Sequence, residues 1–527
     1  MEPVQHSTPV DSQPDACQTP PRWDAARWML GWYDRYRWFY FLVLAGFYLA
    51  AFTGQWQPEP DSALYLSIGR NLAQGEGYHY HGYPHALAYP GMPYLIAGTF
   101  VLFGIDVLWP AHVLMLLMAG ATLALSYRLV RLHLDRPTAV FVTCLLGMTF
   151  TLFRYAFELR NDLPFTLGVM AFLAGWEACL KPDPKTGHLR IRPADVALMI
   201  AGLALAVVMR PHMWVLVVAI VGAGVIRLMQ TRRMRRVLLG MIAGVGGLVA
   251  LLLWLDPRQG QGFRYTYEAA GLSALAELLT PQGISRLGRQ VVVLLEETVA
   301  EAALGHQLGS VLTSIVSIAL LAAAVVLIRR RWLWGLLIIG TVLLMLVLPV
   351  PPAPRYLLPI VPLMALGWFL AIMRIIQPMR QPWRNVVFIA LLSVWVVPNF
   401  LKILKEIAEQ RYPPMAASYQ RETSLRAFSS QLRHAVEPDA WVLASEKTAR
   451  VLSYWSDRRV AARYELPPQG EIDSALYILE PIDPQEALVL KERRLRVGPV
   501  VVERAGDNGQ PTWTLRRLIP EIETEAP

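Results

Sequence analysis

DSALYLSIGRNLAQGEGYHYHGYPHALAYPGMP, residues 61–93, places an acid, tyrosines, histidines and a run of turn residues between two greasy segments. WFYFLVLAGFYLAAFTG (38–54) comes before it, and PYLIAGTFVLFG (93–104) closes it. Its first half has helical spacing. Leu64, Ile68 and Leu72 form one apolar stripe, and Gly75 and Gly77 end the helix. Such a helix lies flat at a membrane surface, with Asp61 at its start. Asp61 then has two readings, an N-cap of that helix or a carboxylate held at the interface as a general base.

The rest of the chain sets the stage for this stretch. Of 527 residues, 54% are hydrophobic and only 17% charged, against roughly a quarter charged in soluble domains. The mean hydropathy is +0.36. Apolar runs such as VLLGMIAGVGGLVALLLWL (237–255) and VLTSIVSIALLAAAVVLI (311–328) approach the roughly 20 residues that cross a bilayer. Eleven candidate spans follow: 38–54, 108–127, 137–153, 163–180, 194–209, 213–228, 237–255, 309–328, 332–348, 356–373 and 385–401. PYLIAGTFVLFG is too short to span and reads as an interfacial or re-entrant helix. Three unevenly placed cysteines give neither a disulfide framework nor a metal spacing.

Charge orients the chain. With the N-terminus inside, alternate loops are Arg128–Arg136, Lys181–Arg192, Arg227–Arg236, Arg329–Arg331 and Arg374–Arg384, all rich in Lys or Arg. The opposite loops hold scattered positives such as Arg70, Arg154, Arg210 and Arg355. The net charge of +9 is thus an orientation signal, not a nucleic-acid footprint. Residues 1–37 read as a cytoplasmic leader and 38–402 as a transmembrane domain. Residues 403–527, with strand-like ALYILE and VVVER, read as a small extracytoplasmic α/β domain. No internal repeat is visible, which argues against a transporter.

The order Asp61, Tyr65, Asn71, Gly75, Gly77, Tyr78, Pro90, Gly91, Pro93 resembles the first outer loop of the GT-C glycosyltransferases that use polyprenyl-phosphate sugars. The protein mannosyltransferases and lipid A aminoarabinose transferases are among them. NDLPF (161–165) resembles their second acidic motif, and RYLLPIVP (355–362) their Arg-Tyr motif at the outer end of a late span. The resemblance covers most of 38–401 in layout and is uninformative about substrate. It implies an α-helical polytopic membrane fold with an outer-face site. It also implies an inverting transfer of sugar from a polyprenyl-phosphate donor to a lipid, glycan or protein acceptor. Asp61 and Asp162 are its catalytic candidates, and Tyr65, Arg70, Glu158, Arg210, Arg355 and Tyr356 its substrate-binding ones. Ser62 stands where many members carry a second acid, so the paired carboxylates of a tight metal site are missing here. No cofactor is implied, and a divalent cation stays open.

The chemistry agrees with the layout. Outside the cytoplasm an activated sugar arrives on a lipid, and the chain has no Walker-type loop and no GxGxxG after a strand. A departing phosphate needs cations more than a general acid, and arginine's planar fork suits it. Each residue also has a plainer role. Asp162 reads as an acid on a helix dipole, Glu158 and Arg160 as an ion pair, and Arg355 as an interfacial snorkelling residue. His79, His81 and His85 read as interface residues rather than ligands. ISRLGRQVVVLLEETVAEA (284–302) reads as an amphipathic helix on the outer leaflet, bordering a lipid entry or lidding the bundle. The competing readings are an O-antigen-ligase-like transferase, which expects a basic pocket built from the long outer loop, a lipid or solute transporter, and a non-catalytic scaffold presenting the tail domain.

Overall fold

The computed structural model describes residues 25–81, 83–85, 88–105, 107–181, 191–230, 235–256, 273–305, 310–328, 331–348, 351–411, 417–461, 476–480, 495–504 and 513–520. Most of the leader, the first three residues of RRMRR and part of the loop 256–308 lie outside these residues.

Helices dominate the first four hundred residues. They are α1 (Ala25–Arg35), α2 (Arg37–Ala51), α3 (Pro60–Gln74), α4 (Gly91–Phe103), α5 (Trp109–Arg131), α6 (Arg136–Gly147) and α7 (Phe150–Tyr155). Then come α8 (Asp162–Cys179), α9 (Pro193–Met209), α10 (Met213–Gln230), α11 (Arg235–Trp254), α12 (Pro281–Val293) and α13 (Val299–Leu304). The last are α14 (Ser310–Ile328), α15 (Trp332–Val347), α16 (Pro354–Ile376) and α17 (Trp383–Arg411). Three of these, α5, α16 and α17, are long and apolar enough to cross a membrane by length and composition. Others are shorter apolar helices with outward-facing side chains, such as Leu42 and Val311. A chain built this way is a membrane protein.

The expected apolar segments are helical, with two differences. The segment 137–153 breaks into α6 and α7 at Met148 and Thr149, where Leu44 of α2 lies against Gly147 so closely that a Cβ would overlap it. The stretch 284–302 is not one surface helix. Its first half, α12, is amphipathic, but a π-helical turn (Leu294–Thr298) leads into α13, whose Val299, Ala300, Ala302, Ala303 and Leu304 are buried. Fully buried Asn399, next to Pro398 inside α17, accepts from the Phe150 amide at 2.6 Å and donates to the Ala303 and Trp395 carbonyls, each at 2.8 Å. One side chain thus satisfies backbone groups at the ends of α7 and α13 and beside the proline break.

Helices α8 and α9 pack on small residues. A Cβ on Gly202 would overlap the Gly168 carbonyl and the Phe172 amide, and one on Gly168 would meet Ala206. Close backbone approach through glycine is how helices associate in lipid, where apolar burial gives no drive. This contact brings the start of α8 beside the end of α9.

The C-terminal residues form α18 (Ala417–Ala435), β3 (Trp441–Leu443), α19 (Glu446–Ser456), β4 (Arg459–Ala461), β5 (Leu476–Glu480), β6 (Leu495–Arg504) and β7 (Trp513–Pro520). The sheet order is β4-β3-β5-β7-β6. β3 runs parallel to β4 and β5, and β7 pairs antiparallel with β5 and β6. A separate two-stranded hairpin, β1 (His79–Tyr80) and β2 (Tyr83–Pro84), follows α3.

Candidate active site

Asp61 is not the cap of α3. Glu59 holds the extended cap position, Pro60 opens the helix, and no side chain caps it. Asp61 therefore sits inside the first turn, where the helix dipole favours a carboxylate. Its oxygens face three guanidiniums from distant parts of the chain. Arg355 Nη1 donates to Oδ2 at 2.5 Å, Arg160 Nη2 to the same oxygen at 3.0 Å, and Arg450 Nη1 to Oδ1 at 3.4 Å. The Asp61 side chain keeps 31% of its surface open, so a substrate can reach it.

The second acidic motif builds the floor. Asn161 donates to the Met209 carbonyl at 2.9 Å, closing the end of α9. Asp162 is the first residue of α8, as an acid on the helix dipole should be, and is buried. It accepts from Arg210 Nη1 at 2.5 Å and faces Arg160 Nε at 3.6 Å. Arg160 links everything: it touches Asp61, Asp162 and Glu158, the last at 3.3 Å. Glu158 also takes Arg154 Nε at 2.6 Å, so the expected Glu158–Arg160 pair exists within a larger network. Glu59 completes it, near Arg154 and Arg160. Burial and the neighbouring Glu158 push the Glu59 carboxyl above its usual range.

Arg355 stands at the start of α16, after Pro354, and its Nη2 donates to the Tyr356 hydroxyl at 3.1 Å. The Tyr356 ring stacks on His212 at 5.2 Å, and the Arg210 guanidinium lies 5.2 Å from its centre. Helix α12 and the π turn brace this loop. Gln290 donates to the Leu348 carbonyl and Thr298 to the Pro352 carbonyl. Tyr65, one turn along α3 from Asp61, is buried near enough to Arg210 to act on its charge.

One expected residue lies elsewhere. Arg70 does not join the cluster: it pairs with Asp457 at 3.6 Å and covers the Tyr454 ring at 4.5 Å. Nine residues past Asp61 on a helix, it is more than two turns away, and it tethers α3 to α19 instead. Of the three histidines, His81 takes part in the same docking, while His79 bonds the Glu76 carbonyl and His85 lies edge-on to Tyr80. His81 lies 3.5 Å from Ser453 Oγ and edge-on to Trp441. Reading the sequence missed Arg450 and Glu59. Arg450, Ser453, Tyr454 and Asp457 recur at helical spacing on one face of α19, and that face meets α3. The stripe was readable, but its target was not.

No family model matches the sequence, and no curated protein does. Solved structures do. ArnT from Cupriavidus metallidurans in the apo state is 12% identical with a TM-score of 0.57, covering 94% of this chain and 98% of that one. The same protein bound to undecaprenyl phosphate gives 0.58 at 12% identity over 93% and 99%. The Archaeoglobus fulgidus oligosaccharyltransferase tethered to an acceptor peptide gives 0.50 at 12% identity, over 85% of this chain and 69% of that one. With an architecture followed over nearly its whole length, this chain has the fold of the GT-C membrane glycosyltransferases.

Proposed function

We propose that the protein is an inverting glycosyltransferase that takes sugar from a polyprenyl-phosphate donor at the outer face of the cell's inner membrane. One observation carries the reading. Asp61, a third of its side chain open to solvent, is held by Arg160, Arg355 and Arg450 from separate elements, in a cluster that also contains Arg154, Arg210, Glu59, Glu158 and Asp162. Three guanidiniums converge on this one partly open carboxylate, and Arg355 is itself a quarter exposed, so cationic groups stand where a phosphate can reach them. The undecaprenyl phosphate bound to the ArnT structure supports a lipid-phosphate ligand for this fold. The acceptor is a lipid, glycan or protein.

In this reading Asp61 accepts the proton of the acceptor hydroxyl. The acceptor oxygen attacks the anomeric carbon, and the bond from that carbon to the phosphate oxygen breaks. The phosphate leaves onto Arg355 and Arg160, whose positions are fixed before the charge develops. Asp162, buried and bound to Arg210, positions Arg160 instead of meeting substrate, and Tyr356 orients Arg355. A divalent cation has no part in this scheme, because the guanidiniums around Asp61 repel it and Ser62, bonded to Trp56 and to the Glu59 carbonyl, adds no carboxylate. The eleven apolar segments all cross the bilayer, with the leader inside and the C-terminal domain outside. A ligase-like site built by the long outer loop fits less well, since Asp61's partners come from α16, α19 and the turn before α8.

The test is transfer from a polyprenyl-phosphate sugar in proteoliposomes. Asp61→Asn keeps shape and polarity but cannot take a proton, so the rate falls by about 10²–10⁴. Wild-type turnover by Asp61→Asn overturns the mechanism.

A further inference from the structure

The C-terminal domain sits on the first outer loop through one face of α19. Asp457 pairs with Arg70, Tyr454 lies under the Arg70 guanidinium, and Trp56 meets Tyr454 and Trp455 edge-on at 5.0 and 5.6 Å. Ser453 and Trp441 meet His81 of the hairpin. These contacts surround Arg450, whose side chain keeps only 9% of its surface exposed and whose Nη1 points at Asp61. A cation so buried costs free energy unless it is paired, so its partner matters. Helix α19 is itself fixed at both ends by the parallel strands β3 and β4.

The two oxygens of Asp61 are unequal. Oδ2 takes Arg355 and Arg160 at 2.5 and 3.0 Å, whereas Oδ1 takes Arg450 at 3.4 Å. Oδ1 is therefore the oxygen with more capacity left to accept a proton. The cation beside it comes from a different domain.

Resting on the transferase reading above, we propose that Arg450 is a positioning residue of the active site. It orients Asp61 Oδ1 toward the acceptor, and only docking of the C-terminal domain on α3 brings it there. The site is incomplete in the transmembrane helices alone. The charged and titratable groups around Asp61 are Arg160 and Glu158 from the turn before α8, Asp162 at the first residue of α8, Arg355 and Tyr356 from α16, Glu59 before α3, and Arg450 from α19.

The experiment is the pH profile of kcat and KM for a polyprenyl-phosphate sugar in proteoliposomes, for wild type, Arg450→Gln and Arg450→Lys. Removing a cation beside a carboxylate raises its protonation midpoint. Arg450→Gln should cut kcat at least tenfold, on the order of losing one preorganised charged donor, with donor KM little changed. Its acid limb should move to higher pH, and Arg450→Lys should restore the limb toward wild type. A residue that only supports folding lowers the yield of folded protein but leaves the limb and the kcat per folded molecule in place, and that result overturns the inference. If the wild type transfers no polyprenyl-linked sugar, the proposed function falls on its own. The melting temperatures of Asp61→Asn, Arg450→Gln and the double variant then decide: coupled effects uphold the pairing, and additive effects overturn it.

Discussion

Arg355 and Asp162 show how differently two polar residues of one cluster can behave. Arg355 sits at the rim, a quarter exposed, with one nitrogen on Asp61 and another on Tyr356. A snorkelling arginine would point to water, and this one points inward. Arg355→Lys keeps the charge but cannot reach both partners, so it should already lower transfer, and Arg355→Ala should cost about 10²–10³ in rate. Normal turnover by both at unchanged protein level would return Arg355 to a snorkelling role. Asp162 is closed off from solvent and bound to Arg210, which is also buried. Asp162→Ala leaves that guanidinium unpaired, which typically costs about 3–5 kcal/mol. A sharply lower melting temperature in detergent is expected, with Asp162→Asn milder. A wild-type melting curve for Asp162→Ala would mean that Arg210 has found another partner.

Helix α3 is the element on which the two halves of the protein meet. Its first turn carries Asp61, its middle carries Arg70, and the loop before it carries Trp56, whose Nε1 donates to Ser62 at 2.9 Å. Trp56→Ala removes the ring between Tyr454 and Trp455 and the bond to Ser62, and leaves every charged side chain of the cluster in place. It should speed proteolysis of residues after Arg411 and lower activity, and unaltered proteolysis would argue that Arg70 and Asp457 alone hold the interface. The hairpin adds a pH dependence. Burial, with His85 and nearby arginines, pushes His81 down to about 3 from 6.5. The docked form thus binds fewer protons than the open one, so docking is strongest above pH 6.5 and weakens as pH falls below it. His81→Gln should flatten that dependence when proteolysis is followed between pH 7.5 and 5. Between α8 and α9, Gly202→Val should prevent folding, because the added side chain forces apart the helices that bring Asp162 to Arg210.

At the scale of the molecule, the prediction is topological. The charge pattern predicts every Arg-rich turn on one side and Asp61, Arg160, Arg210 and Arg355 on the other. Reporters fused after Arg331 should therefore signal cytoplasm, and those near Gly77 and Asp439 the exterior. A cytoplasmic signal at Asp439 would require an even number of crossings and would place the sheet on the wrong side for Arg450. Helices α2, α6 and α15 are shorter than a full span, so a crossing by any of them requires a thinned bilayer or flanking residues.

The sequence by itself determined the helices and the motifs around Asp61, Asp162 and Arg355. Apolar run length, loop charge and glycine or proline punctuation are local, and the chain carries them residue by residue. Tertiary structure alone decided the partners. Asp61 and Arg355 are 294 residues apart, and Asp61 and Arg450 are 389 apart. No periodicity links positions so distant. The same limit explains Arg70, which is placed like a substrate ligand on α3 but is claimed by Asp457 on another element. It also explains Glu158 and Arg160, which read as a lone ion pair but join a network closed by Arg154, Asp61 and Asp162. A charged side chain near a membrane pairs with whichever opposite charge the fold brings within a few ångströms, and that choice is made by packing, not by neighbours in the chain.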